Sequence, residues 1–380
     1  MDKNSAIKRL YITGSSIMTT KNWIRGSLFG TSAAVSLLAL ISISTAQDGS
    51  PTGAITTRTH TFTPIRDDIY HVVGTGTVNV MSHAMLIEGE HDLLVVDSHV
   101  TPNAGMALLD AIKSVSDKPV RYLVNTHYHF DHAHGNQVFP QDVEIIGHPY
   151  TRQKLSGELG NVLEESTFLS FTESVPDQIE NMRAELAQTS DPARTEELRA
   201  RIAMQQAHYE SSQEIVPTPP NITVDEKMTI YQTVDGGGRE IQIVHLGRGH
   251  TGGDVVVFLP DERLVYTGDL MVPGIPYMGD AYLNEWPDAL ERLKTLDFDT
   301  MLPGHGPVVQ GKDRIDDLQA YMRDLWQRTA ELKAQGLSFE EAATAIDLTG
   351  HSNNYPQLRE PGADPRAIRR IYQLLDEQAE

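Results

Sequence analysis

The sequence predicts an α+β protein in which strands and helices alternate within one fold. Two observations carry this prediction. Short apolar runs bounded by glycine or charged residues are typical of buried strands, and longer segments with apolar side chains at helical spacing are typical of helices. Both kinds of segment occur before residue 150 and after residue 220, so the arrangement is mixed α and β in both halves.

The first half of the chain contains runs that predict strands at residues 69–73, 84–87, 93–97 and 120–124. A helix is predicted between the last two strands, because apolar side chains recur at helical spacing over residues 103–115. The second half predicts a further set of elements: strands at 222–224, 228–231, 241–245, 255–259 and 264–267, a turn at 235–238 and a helix at 286–295.

A stretch of different character lies between the halves at residues 151–212, where helical spacing combines with dense charge and few strand formers. We interpret it as a helical insertion. Charged runs are usually solvated helical faces, and the alternatives are a lid over a site or a contact surface for a second copy of the chain, which would make a homo-oligomer. After residue 311, helices are predicted at 315–335, 339–346 and 365–378.

The N-terminus has the pattern of a secretory signal peptide. Lys21 and Arg25 precede an apolar run at residues 28–43, and small residues follow before Gln47. The run is shorter than the ~20 residues that a membrane span needs, which favours cleavage over an anchor. We therefore expect residues 1–46 to be a signal peptide, with Met18 as an alternative start, and an exported, periplasmic protein with no membrane contact after cleavage.

Composition limits the partners and the ligand chemistry. The chain carries 52 acidic against 31 basic side chains, a net charge of −21, which repels phosphate backbones, so no nucleic-acid partner is expected. It contains no cysteine but 15 histidines. A metal would therefore be held by nitrogen and oxygen ligands alone.

The strongest chemical signal is the segment at residues 126–132, which follows the predicted strand at 120–124. Alternate side chains of an extended or turning segment share a face, so His127 and His129 can point at one metal ion. Asp131 and His132 can then serve a second ion. A catalytic zinc holds about three protein ligands, and further candidates occur at turns or strand ends: His250, Asp269 and His305.

These motifs, together with Asp97, resemble those of the metallo-β-lactamase superfamily. The resemblance covers residues 65–150 and 222–310 and implies an αβ/βα sandwich with two Zn²⁺, or other divalent ions, at one edge of the sheets. The first ion would be held by His127, His129 and His250. The second would be held by Asp131, His132 and His305. Asp269 would bridge both ions, and Asp97 would hold the ligand loop without binding metal.

The resemblance sets the expected domain organisation. A metallo-β-lactamase domain is expected at residues 47–310, interrupted by the helical insertion at 151–212. A C-terminal helical extension is expected at 311–380.

Some local runs resemble the first subclass (B1) of true β-lactamases, among them the segment at 279–281 and the pair Trp286 and Pro287. Those enzymes have a cysteine where this chain has Asp269 and an arginine where it has His132. They also place a lysine soon after the cysteine, and residues 271–275 contain none. A carboxylate with His132 is closer to the glyoxalase II-like and lactonase-like members, which cleave thioesters and lactones.

The site therefore predicts a metal-dependent hydrolase whose partner is a small carbonyl compound. In this hypothesis a hydroxide between the two ions attacks a β-lactam, lactone or ester carbonyl, with a class B-type β-lactamase as the leading substrate assignment. Asp131 is a candidate proton relay, and Tyr277 and Tyr282 are candidate oxyanion donors with packing as the alternative. Three other readings stay open: a lactonase or thioesterase without β-lactamase activity, a phosphodiesterase or nuclease, and a non-catalytic zinc- or partner-binding protein.

Overall fold

A computed structural model describes residues 53–234 and 237–379. The predicted signal peptide and part of the predicted turn at 235–238 lie outside the described residues. Within the described ranges, no helix has the length and apolar character needed to cross a bilayer.

The first of two sheets has eight strands in the described part of the chain, paired in chain order from β1 to β8. They are β1 (Ile55–Thr56), β2 (His60–Arg66), β3 (Ile69–Gly74), β4 (Ala84–Glu88), β5 (Leu93–Val96), β6 (Val120–Val124), β7 (Glu144–Gly147) and β8 (Ile222–Thr223). Pairing is antiparallel from β1 to β5 and parallel from β5 to β8. Each parallel step needs a long connection, and α1 (Pro102–Ile112) supplies the first one.

The second sheet contains the later strands in the order β14-β13-β12-β11-β10-β9. Their bounds are β9 (Lys227–Val234), β10 (Gly237–His245), β11 (Val255–Leu259), β12 (Leu264–Gly268), β13 (Thr300–Pro303) and β14 (Val309–Gln310). Only β12 and β13 are parallel among these described pairs, with α7 (Trp286–Lys294) in the connection. The ends of β12 and β13 therefore meet at one edge of the sheet.

The sheets pack face to face through a core that includes Met85 and Val96 from the first sheet and Ile243 and Tyr266 from the second. Helix α1 covers the outer face of the first sheet, where Leu108 packs with strand residues. Strands such as β11 are buried on both faces, which explains their continuous apolar sequence. The predicted sandwich of two sheets between helices is confirmed.

The outer face of the second sheet is covered by α7 and by the C-terminal helices, which are α8 (Asp313–Ala334), α9 (Phe339–Ala345) and α10 (Pro365–Glu377). Trp286, Ile315 and Ile368 from three of these helices share one core with β11 and β12. Helix α9 begins with a capping box formed by Ser338 and Glu341. The residues expected as an extension thus form a layer of the same core.

Helices also fill the stretch interpreted as an insertion: α3 (Pro149–Leu155), α4 (Ser166–Thr172), α5 (Val175–Gln188) and α6 (Pro192–Ser212). Helices α5 and α6 pack together through Val175, Ile179 and Ile202. Ser211 Oγ of α6 accepts a hydrogen bond of 3.0 Å from the backbone N–H of Asn103, which ties the insertion to α1.

Candidate metal centre

The segment singled out in the sequence leaves the end of β6 and turns into a one-turn helix, α2 (Phe130–Ala133). Two reciprocal amide hydrogen bonds of 2.8 and 2.9 Å between Asn125 and Asn136 hold this connection. The later candidates follow strands of the second sheet: His250 lies between β10 and β11, Asp269 directly follows β12, and His305 follows β13. The fold thus brings residues far apart in sequence to one edge of the sandwich.

His127, His129 and His250 form the first group of donor atoms, which lie within 4.8 Å of one another. Nδ1 of His129 is 2.9 Å from Nε2 of His250. Burial lowers the pKa of His127 well below its usual value, with the neighbouring His132 adding to the effect. Burial likewise lowers the pKa of His250 to about 3. Neutral imidazoles with converging nitrogens are suited to bind a metal ion.

Asp131, His132 and His305 form a second group, whose donor atoms also lie within 4.8 Å of one another. Oδ2 of Asp131 is 3.0 Å from Nε2 of His305 and 3.4 Å from Nε2 of His132. The His305 side chain is 39% exposed, against 11% for Asp131 and 10% for Asp269, so the centre opens to solvent on the His305 side.

Asp269 lies between the two groups. Its Oδ2 is 3.7 Å from Nε2 of His250 and 3.4 Å from Nε2 of His305, and its Oδ1 is 3.5 Å from Nε2 of His132. A single carboxylate therefore faces the first group and the second, which is the placement that a bridging ligand requires.

Three observations support metal binding by these residues. Nε2 of His127 and Oδ1 of Asp269 are buried with no hydrogen-bond partner, which is costly unless a cation binds them. A Cβ atom at Gly304 would lie 2.5 Å from Oδ1 of Asp269 and 2.8 Å from Cε1 of His132, so the centre needs glycine there. The donors are imidazole nitrogen and carboxylate oxygen, a set that suits zinc and several other transition metals.

Carboxylates dominate the electrostatics of the second group. Burial alone would lower the pKa of His132, but Asp131, Asp97 and Asp269 hold it well above its usual value. Burial would raise the pKa of Asp131, but His132 and His305 hold it well below its usual value. Ionised carboxylates around this group favour the binding of a cation.

Asp97 lies behind the ligands and is fully buried. It accepts a hydrogen bond of 2.8 Å from the backbone N–H of Thr126, and its Oδ2 lies 2.8 Å from Nδ1 of His132. Its φ of 62° is in the left-handed region, which aspartate tolerates better than most residues. The structure thus places Asp97 where it orients a candidate ligand while its carboxylate stays outside both donor groups.

Asp280 contacts the centre, although it is not among the residues predicted from the sequence. Its Oδ2 lies 3.3 Å from Nε2 of His129, a carboxylate–imidazole contact whose alignment is poorer than that of an ideal hydrogen bond. Burial would raise the pKa of Asp280, but the interactions with His129 and Thr167 lower it to about 2. The available signal in the sequence is the segment at 279–281, which resembles the corresponding run of B1 enzymes.

The two tyrosines suggested as oxyanion donors occupy different places. The Tyr277 ring lies 5.8 Å from the ring of His129, and its hydroxyl is hydrogen-bonded to Thr167 Oγ1 at 2.9 Å. The Tyr282 ring instead packs against the guanidinium groups of Arg248 and Arg370, which lie 4.2 and 5.1 Å from its centroid. The contacts found for Tyr282 in the described chain do not include a candidate metal ligand.

Fold and site together define the class of protein. The sequence profile of the metallo-beta-lactamase superfamily matches residues 78–305, and the chain belongs to that superfamily. It is a member of a superfamily of metallo-hydrolases, and its His and Asp clusters could hold metal ions.

Individual relatives share only low sequence identity with this chain. The linear primary-alkylsulfatase of Pseudomonas sp. (strain ATCC 19151) is 24% identical over 314 residues, which cover 76% of this chain and 54% of that protein. A type 2 metallo-beta-lactamase of Bacillus sp. (strain 170) is 29% identical over 93 residues, or 22% of this chain and 36% of the relative. The solved structure of the stereoselective inverting sec-alkylsulfatase Pisa1 from Pseudomonas sp. superposes with a TM-score of 0.58 at 18% identity, over 82% of this chain and 50% of that chain. The chain thus spans about half the length of both alkylsulfatases, and the structural likeness shows the fold.

Proposed function

We propose that the protein is a dinuclear metal-dependent hydrolase that cleaves a small carbonyl compound: an ester, a lactone or a β-lactam. The observation that carries the proposal is the position of Asp269, whose carboxylate faces His250 of the first donor group and His305 of the second. Two divalent cations in these groups supply Lewis-acid polarisation of the carbonyl and a water of lowered pKa.

The residues of the chain prepare the site for this chemistry. His305 and Asp131 lie at the open side, where a substrate can approach. Asp131 is ionised and can accept a proton, but its strongly lowered pKa makes it a weak base, so its main role in this proposal is as a ligand. The Tyr277 hydroxyl is engaged with Thr167, which disfavours Tyr277 as an oxyanion donor.

Sulfate-ester hydrolysis is the second candidate. The similarity to the alkylsulfatase extends over 76% of this chain, whereas that to the type 2 β-lactamase covers 22%. Nuclease activity is disfavoured by the net charge of −21. If the export proposed from the residues before Gln47 holds, the substrate is a compound met outside the cytoplasm.

A substrate panel tests the proposal with purified protein supplied with zinc. The panel contains a chromogenic cephalosporin, lactones of several ring sizes, an aryl acetate, an aryl sulfate, a long-chain alkyl sulfate and an aryl phosphodiester. We expect turnover of at least one carbonyl substrate and a loss of about 100-fold or more in His129→Ala. His91→Ala, at an exposed histidine, is the matched control and should retain wild-type activity.

The possible results separate the candidates. Turnover confined to sulfates would replace the carbonyl assignment with the second candidate. Equal activity of wild type and His129→Ala would show that the observed hydrolysis does not come from this centre. A protein that binds metal and cleaves none of the panel would contradict the hydrolase proposal and favour a binding role.

A further inference from the structure

The loop that precedes α7 connects the candidate metal centre to the helical insertion. It carries Tyr277 and Asp280, and both contact His129. Their side chains meet at Thr167, which belongs to α4 and is 5% exposed. Thr167 lies well outside the motifs of the metal site, so its contact with this loop is a product of the fold.

The proton positions in this contact follow from the chemistry of the groups. The ionised carboxylate of Asp280 can only accept, so Thr167 Oγ1 donates to its Oδ2 over 3.0 Å. Thr167 has one hydroxyl proton, and its oxygen therefore accepts from the Tyr277 hydroxyl over 2.9 Å. Tyr277 therefore donates to Thr167 and Thr167 donates to Asp280, so the Asp280 carboxylate is the final acceptor.

The same Oδ2 atom of Asp280 lies 3.3 Å from Nε2 of His129. A neutral imidazole carries one proton, and a proton on Nε2 leaves the lone pair of Nδ1 free. Nδ1 is the nitrogen that lies 2.9 Å from Nε2 of His250, on the side of the first donor group. Asp280 thus favours the tautomer of His129 that metal binding requires.

The loop is held from its other side by the C-terminal helix α10. The Arg366 guanidinium lies 4.9 Å from the ring centroid of Tyr277, and Arg366 is itself paired with Asp364. Arg370 Nε donates to the carbonyl oxygen of Ala281 over 2.9 Å. These contacts restrict the loop, so the Thr167 hydroxyl acts on a carboxylate whose backbone is already fixed.

We propose that Thr167 is a positioning residue of the metal centre: its hydroxyl holds the Asp280 carboxylate against Nε2 of His129 and thereby directs Nδ1 of that ligand toward His127 and His250. The inference rests on the metal binding that is part of the proposed function. It gives the insertion a role at the site, beyond that of a solvated helical pair.

The experiment compares zinc affinity, by competition with a chelator, and the visible absorption spectrum of the cobalt-substituted protein. Thr167→Val removes the hydroxyl at nearly constant volume and is expected to weaken binding at the first donor group about threefold to tenfold and to change the cobalt spectrum. Thr167→Ser retains the hydroxyl and should behave as wild type. Tyr277→Phe leaves the Thr167–Asp280 bond in place and should have the smaller effect.

Thr172→Val is the matched control, since Thr172 is also buried in α4 but its hydroxyl, among the residues that the structure describes, bonds only to carbonyl oxygens of its own helix. Thermal unfolding of the metal-free variants shows that each is folded. Wild-type affinity and spectrum in Thr167→Val would overturn the inference, and so would equal losses in Thr167→Val and Thr172→Val. A wild type that binds both ions but hydrolyses no substrate would contradict the proposed function and leave this inference standing.

Discussion

Oδ2 of Asp97 lies 2.8 Å from Nδ1 of His132, and both side chains are completely buried. The Asp97 carboxylate also accepts hydrogen bonds from the backbone and the hydroxyl of Thr126, one step before the first ligand histidine. One buried carboxylate therefore positions both ends of the ligand segment.

Asp97→Ala should weaken metal binding at the second donor group about 10- to 100-fold, because His132 loses the partner that orients it. It should also destabilise the protein by about 3 kcal/mol, since buried donors lose their acceptor. Chelator competition and urea unfolding measure the two effects. Tyr266→Phe removes a weaker 3.4 Å contact to Asp97 together with a 2.8 Å hydrogen bond to the carbonyl oxygen of His83, and it should cost much less of the metal affinity.

Gly304→Ala should abolish or severely weaken metal binding while the fold persists. The added Cβ would fall 2.5 Å from Oδ1 of Asp269 and 2.8 Å from Cε1 of His132, and both side chains would have to move. Metal content after dialysis and the circular dichroism spectrum test this. Gly237→Ala is a control, because a Cβ there meets nothing within 4 Å. Metal content of Gly304→Ala equal to that of wild type would place the ions elsewhere.

Metal stoichiometry should be two ions per chain, falling toward one in His305→Ala, which removes a ligand of the second group alone. Removal of metal should abolish hydrolysis and lower the melting temperature. Ions that bind only the folded state add about 2.7 kcal/mol to the free energy of unfolding at a free ion concentration of 100 Kd. Elemental analysis and calorimetry before and after chelation measure both. One ion in wild type, unchanged in His305→Ala, would contradict the dinuclear arrangement.

His208 in α6 should make the protein less stable in acid. Burial lowers the pKa of His208 from 6.5 to about 4, and its Nδ1 has no hydrogen-bond partner. The unfolded chain therefore takes up a proton near pH 6.5 while the folded protein does not. The free energy of unfolding should fall as the pH drops from 6.5 to 4, by about 3 kcal/mol at most from this residue.

His208→Leu removes this titration and should make the free energy of unfolding less dependent on pH over the same range. Urea unfolding at several pH values compares the slopes of variant and wild type. Parallel curves for the two proteins would show that His208 is not the residue responsible.

The element prediction succeeded where a segment is long or continuously apolar. Strands β6 and β11 have the predicted bounds, and α8 at Asp313–Ala334 lies within two residues of the prediction at 315–335. Strands β1, β2, β7, β13 and β14 were not predicted. Strand β7 has only four residues and β14 only two, so neither is long enough to show the alternating pattern of a strand in the sequence. Pairing with a neighbouring strand defines both.

The candidate ligands could be read from sequence because their motifs are local. His127, His129, Asp131 and His132 are close neighbours in the chain, and the later candidates lie in glycine-rich turns. Asp280 could not be assigned in the same way. Its partners are His129 and Thr167, which lies 113 residues before it, and only the packing of α4 against the loop brings them together.

By itself, the sequence determined the α+β class, the ligand cluster and the nitrogen and oxygen character of the candidate site, because these depend on local periodicity and residue type. Tertiary structure decided that Asp269 faces both donor groups, that Tyr282 packs against two arginines and that the insertion meets the centre at Thr167. These relationships join residues from different layers of the fold. They depend on how the strand ends and helices pack in space, which no local pattern encodes.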